Sequence, residues 1–97
     1  MSLLIDFSAF PLDKGESVSP YVARVARLIR ESGLPHKFGP MGTAIEGDWE
    51  EIAALLSRCF DELGKDCNRI YFTLKGDLRK GKTGRMEGKV QSLEAKL

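Results

Sequence analysis

From Leu3 to Phe10 apolar and polar residues alternate, with Ile5, Phe7 and Ala9 on one side and Asp6 and Ser8 on the other. That two-residue period marks a half-buried strand. The period then lengthens. Val22, Val25, Ala26 and Ile29 recur at i, i+3, i+4 and i+7, while Arg24, Arg27 and Arg30 fall off that stripe, which predicts an amphipathic helix. Ser19 is its expected N-cap and Pro20 its first helical residue; Gly33 is its expected left-handed terminus, and Pro35 prevents continuation. His36–Phe38 reads as a short strand, and Met41-Gly42 as a tight turn in which Gly42 supplies a positive φ. A strand over Thr43–Glu46 follows, with Thr43 and Ile45 facing one way and Ala44 and Glu46 the other.

Gly47 lets the chain turn, and Asp48 with Glu51 three residues on forms a capping box. A second helix from Trp49 to about Leu63 gathers Ile52, Leu55, Leu56, Cys59, Phe60 and Leu63 on one face. Asn68–Lys75 alternates again, Ile70, Phe72 and Leu74 against Tyr71, Thr73 and Lys75. Gly76–Arg85 reads as a basic loop punctuated by glycine. Met86–Leu97 closes the chain as a helix with Met86, Val90, Leu93 and Leu97 on one face.

The order β-α-β-β-α-β plus a terminal helix predicts an α+β fold of the ferredoxin-like kind, a βαββαβ sandwich with a four-stranded antiparallel sheet. Both crossover helices cover one face. The other is expected to form an open floor lined by Asp6, Ser8, Tyr71, Thr73 and Lys75, available to a ligand or to a partner subunit. Residues 1–97 make one domain.

Composition narrows the function classes. The hydrophobic fraction of 42% supports a core, but so short a chain buries proportionately little surface, so self-association into a dimer or tetramer is expected. Fifteen Lys and Arg against fourteen Asp and Glu leave a net charge of +1, no field for nucleic acid or anionic lipid. Two cysteines eight positions apart and one histidine cannot furnish a four-ligand zinc site. Reduced thiols in a cytoplasmic protein are expected, with no signal or membrane-spanning segment. An RNA-recognition module would need more sheet aromatics than Tyr71 and a basic footprint. A small acyl-phosphate hydrolase would need an arginine in the loop after the first strand, where Pro11–Gly15 carries Asp13 instead.

Candidate chemistry concentrates in Pro40–Trp49. Glu46, a strand carboxylate between two glycines, is placed to meet something small; it also reads as a partner for a helix N-terminus or as an edge-strand charge. Trp49 reads either as a packing anchor or as a ligand contact. The cations Lys75, Arg79, Lys80, Lys82 and Arg85 suit a phosphate or, more simply, a solvated surface. His36 and the two cysteines form no nucleophile–base pair, so no catalytic activity is expected.

Pro40-Met41-Gly42-Thr43 followed by Ile45-Glu46-Gly47, with Ser17-Val18-Ser19 before the first helix and Arg85–Glu94 at the end, resembles the small single-domain proteins of the YkoF-like thiamine-binding superfamily. The resemblance implies a ferredoxin-like domain assembled into homo-dimers or homo-tetramers. It also implies binding of thiamine or its hydroxymethylpyrimidine moiety as carrier, buffer or sensor, with no cofactor required. The ligand residues expected on that basis are Asp6, Ser19, Phe38, Met41, Gly42, Thr43, Glu46 and Trp49. Glu46 would meet the exocyclic amine or the thiazolium charge, with Asp6 a second anion. Thr43 would bond a pyrimidine nitrogen, Phe38 and Met41 would sandwich the rings, and Ser19 would hold a hydroxyl or phosphate tail. The competing reading, from another class, is a structural or regulatory oligomer whose open sheet face is only a subunit interface.

Overall fold

A computed structural model describes residues 1–81 and 84–97. Its elements run β1 (Ser2–Pro11), α1 (Ser19–Glu31), β2 (His36–Phe38), β3 (Thr43–Gly47), α2 (Trp49–Gly64), β4 (Ile70–Arg79) and α3 (Arg85–Lys96). The sheet order is β2-β3-β1-β4 with every neighbouring pair antiparallel, so the α+β, βαββαβ architecture with an added C-terminal helix is established.

The alternation in β1 is what builds the core. Leu3, Ile5, Phe7 and Ala9 are buried on the helix side, where Val25 and Ile29 of α1 and Ile52, Leu55, Leu56, Cys59 and Leu63 of α2 meet them. Ile45 of β3 lies fully buried in the same layer. Across the two helices, Arg24 donates to Asp66 Oδ1 at 3.0 Å and to the Glu62 carbonyl at 2.6 Å, fastening α1 to the end of α2. The capping box at Asp48 forms, with the Asp48 N–H donating to Glu51 Oε1 at 3.0 Å.

Two local expectations are revised. Ser19 sits inside the first turn of α1 rather than capping it; the cap position is Val18, whose carbonyl accepts from the Tyr21 and Val22 N–H groups. Residues 76–79 are strand, not loop, because β1 begins at Ser2 and offers Ser2, Leu3, Leu4 and Ile5 as partners for Arg79, Leu78, Asp77 and Gly76. The charges of that stretch had concealed a strand whose hydrogen bonds come from sixty or more residues away. Lys82, the remaining member of the basic stretch, lies outside the described residues.

The open floor is also narrower than expected. The first half of α3 lies over its β3 side, where Met86, Lys89 and Val90 come against Leu4, Asp6, Ala44, Lys75 and Asp77 around a space of about 510 Å³. Towards the C-terminus α3 loses its support: Leu93 is 59% and Leu97 95% exposed.

Candidate functional site

Glu46 and Ile45 are successive residues of β3 and therefore point through opposite faces of the sheet. Glu46 faces α3 and is buried. Its Oε2 accepts from the Gly84 N–H and its Oε1 from the Met86 N–H, both at 2.8 Å. A helix N-terminus exposes N–H groups with no partner in the helix and a partial positive charge; a carboxylate answers both needs. The cap of α3 thus comes from a strand some forty residues earlier, and both Glu46 oxygens are engaged.

Arg85, next in the chain, completes this anchorage. It is buried, donates to the Asp77 carbonyl at 2.7 Å and the Ser2 carbonyl at 3.1 Å, and forms an ion pair with the Asp77 carboxylate. Lys89 donates to the same carboxylate oxygen, Asp77 Oδ2, at 2.7 Å. The bond from Lys89, with Arg85 and Arg79 nearby, holds the Asp77 carboxyl below its usual range. Arg85 is therefore a structural clamp, which removes it from the expected phosphate-binding cations. Nothing in the local sequence marks it; its partners come from both ends of the chain.

On the helix side, a cleft of about 410 Å³ opens between α1, β1 and the β2–β3 hairpin. Its floor is Phe7 and Ala9, one wall is Val22, Val25, Ala26 and Ile29, and the other is Phe38, Met41, Gly42 and Thr43. The cleft exists because β2 has only three residues, too few to carry the sheet under the whole of α1. Val22 consequently stays 42% exposed although it heads the apolar stripe of its helix. The hairpin closes through the Gly39 N–H donating to the Gly42 carbonyl at 2.9 Å. Gly42 does not take the positive φ expected of it. The Asp6 carboxylate packs against the back of the turn, where a Cβ on residue 42 would lie 2.9 Å from Asp6 Oδ1, while the strict need for glycine falls on Gly39, whose Cβ would lie 2.8 Å from the Gly42 carbonyl oxygen.

No side chain lining this cleft is charged. Beside it, the Arg30 guanidinium lies 5.6 Å from the centroid of the Phe38 ring, and His36 stacks obliquely on the same ring at 5.0 Å. Met41, at the tip of the hairpin, is 87% exposed.

Of the eight residues expected at a ligand site, four therefore share this cleft: Phe38, Met41, Gly42 and Thr43. Asp6 and Glu46 stand on the other face of the sheet. Ser19 and Trp49, each the first residue of its helix, line neither this cleft nor the spaces around α3, and Trp49 is 54% exposed. The α1 residues of the cleft wall were legible in sequence only as a core stripe. The groups considered for nucleophilic chemistry are kept apart. Cys59 is wholly buried, with its thiol pushed up to about 11 by burial, and Cys67 is also raised by burial beside Asp66. His36 Nδ1 pairs with the Leu34 carbonyl at 2.8 Å. Among the described residues no group of three or more His, Cys, Asp or Glu is placed to hold a metal, and no helix is long and apolar enough to cross a membrane.

Comparison with known proteins agrees with this architecture. The family described as thiamine-binding protein matches residues 5–94. A UPF0045 protein of Mycobacterium bovis is 39% identical over 95 residues, covering 97% of this chain and 93% of that one. The crystal structure of a hypothetical protein from Methanocaldococcus jannaschii superposes with a TM-score of 0.87 at 31% identity, covering 96% of each chain. A putative thiamine biosynthesis/salvage protein from Thermotoga maritima shares the fold, with a TM-score of 0.84 at 22% identity over 96% of this chain and 99% of that one. The chain belongs to the thiamine-binding protein family.

Proposed function

We propose, with that family membership as the premise, that this protein binds thiamine or its hydroxymethylpyrimidine moiety without chemical conversion, as a carrier, buffer or sensor. The observation that carries the reading is the uncharged cleft between α1 and the β2–β3 hairpin, which brings Phe38, Met41, Gly42 and Thr43 together. An aminopyrimidine is flat, neutral and edged with donors and acceptors. Its faces suit Phe38 and Met41, and its edge suits the Thr43 hydroxyl and the main chain of the turn.

The charge distribution favours one orientation for such a ligand. Burying the thiazolium among uncharged groups would cost desolvation with no anion in return, and Arg30 already approaches the Phe38 ring. The pyrimidine therefore enters and the thiazolium stays at the solvent-facing mouth. Glu46 takes no part in this scheme, and Asp6 supports the turn from behind. Binding without catalysis is consistent with the two thiols, Cys59 and Cys67, lying outside the cleft lining and with His36 meeting only the Phe38 ring beside it.

The test is calorimetric titration of thiamine and of hydroxymethylpyrimidine into the wild type and into Phe38→Ala. Loss of one stacking face should weaken binding by roughly ten- to a hundredfold, equivalent to about 1–3 kcal/mol. Absence of binding by both compounds to the wild type, or affinity unchanged in Phe38→Ala, overturns the reading.

A further inference from the structure

The charges of α3 are sorted by flank. Met86 and Val90 turn to the sheet. On one side of that line Glu87, Gln91 and Glu94 recur at i, i+4 and i+7, and Glu87 and Gln91 border a space beside His36 and Lys37 of β2. On the other side Arg85, Lys89, Ser92 and Lys96 recur at i, i+4, i+7 and i+11. Together with Arg79, the last residue of β4, they line a groove of about 430 Å³. The basic flank of the helix therefore faces a basic strand end. The Asp77 carboxylate beside it is already taken by Arg85 and Lys89, and among the described residues neither Arg79 nor Lys96 has an ion-pair partner. Gly88 stands in the wall of the same groove, inside the helix, where glycine weakens helical structure. Nothing crowds it: a Cβ there would meet no atom within 4 Å. Packing within the chain gives no reason for glycine at this position; a side chain would instead occupy the groove.

We infer that this groove is a second binding site, for the diphosphate group of a small phosphorylated molecule. Arg79 offers a planar fork of donors and Lys96 a compact ammonium, both suited to phosphate oxygens, and Ser92 adds a hydroxyl donor. Lys89 and the buried Arg85 keep their bonds to Asp77 and contribute positive potential from the groove wall. From Lys89 to Lys96 the row runs about 10 Å along the helix at 1.5 Å per residue. That length suits two linked phosphoryl groups better than one, and Gly88 leaves them room. The groove lies on the α3 face of the sheet and the uncharged cleft on the other, so the two sites fill independently.

Calorimetric titration of inorganic pyrophosphate into the full chain tests this, at about 0.15 M ionic strength, where exposed charges more than about 8 Å apart are screened from one another. The inference expects Arg79→Gln and Lys96→Gln each to raise the dissociation constant at least about tenfold, and Gly88→Leu to abolish detectable binding. Leucine is the better helix former, so the circular dichroism of Gly88→Leu should match the wild type. Lys37→Gln on β2, outside the groove, and Phe38→Ala in the cleft should both bind pyrophosphate as the wild type does. A wild type that binds no pyrophosphate overturns the inference. So does affinity unchanged in Gly88→Leu, or affinity lowered as much by Lys37→Gln as by Lys96→Gln, the mark of attraction to charge in general. Inorganic phosphate is expected to bind at least about tenfold more weakly than pyrophosphate; equal affinity for the two overturns the assignment to a diphosphate.

Discussion

Ile45 and Glu46 are neighbours in one strand, both buried, and they hold the molecule together by unlike means. Ile45 is locked among β1 and the two crossover helices, where many weak contacts fill space in every direction. Glu46 is locked by two hydrogen bonds to the start of one helix. The helix face of the sheet is a continuous apolar layer, whereas the α3 face depends on a few polar fastenings: the Glu46 cap, the Arg85 clamp and the Lys89–Asp77 bond. The first face is costly to open anywhere. Opening the second is expected to free α3 while leaving the sheet and the cleft beside α1 intact.

The strongest test of that contrast is Ile45→Ala. A cavity in the apolar layer should destabilise the whole domain by about 2–5 kcal/mol in denaturant unfolding, with all elements lost in one transition. A loss confined to α3 would contradict the distinction between the faces.

Glu46→Gln should do less, and do it locally. An amide keeps one acceptor but no charge, so at least one helix N–H loses its partner, at a cost of roughly 1–2 kcal/mol. Hydrogen exchange should accelerate in α3 while β1, β3 and α2 keep their protection. Affinity for thiamine or the pyrimidine should not change, because Glu46 faces away from the cleft; an altered affinity would return this carboxylate to the binding site.

The smallest effect is expected from acid. Asp13 is held below its usual range chiefly by the Asn68 N–H, Glu62 chiefly by its bond from Lys65, Asp66 and Asp77 chiefly by theirs from Arg24 and Lys89. Each carboxylate has a folded pKa below its unfolded value, so each stabilises the fold at neutral pH. That stabilisation fades as pH falls from about 5 through the lowered folded values. All four are solvent-accessible, so the melting temperature should decline gradually over that range rather than collapse. A melting temperature that rises on acidification would show these contacts to be unimportant.

Much of this was legible in the chain. The switch from period two to period 3.6 and back located all seven elements, and the Asp48–Glu51 spacing marked the start of α2. The β-α-β-β-α-β order also carried the fold class. The alternation in β3 even stated that Thr43 and Glu46 face opposite ways, so a single pocket could not use both. Grouping them as one site followed the proximity of motifs in sequence, and the sheet separates what the sequence sets side by side.

Local periodicity and capping chemistry act over a few residues, and that is why the sequence by itself determined the elements, their buried faces and their order. Tertiary structure alone decided the extent of β4, whose final residues are strand only because Ser2–Ile5 pair with them. It decided that Glu46 caps α3 and that Arg85 ties β1 to β4, contacts spanning about forty and eighty positions. It also decided that part of an apolar helix stripe became a cleft wall, because a three-residue β2 leaves α1 overhanging. Each of these depends on which distant groups the folded chain brings within hydrogen-bond or van der Waals reach, and no short stretch of sequence encodes that distance.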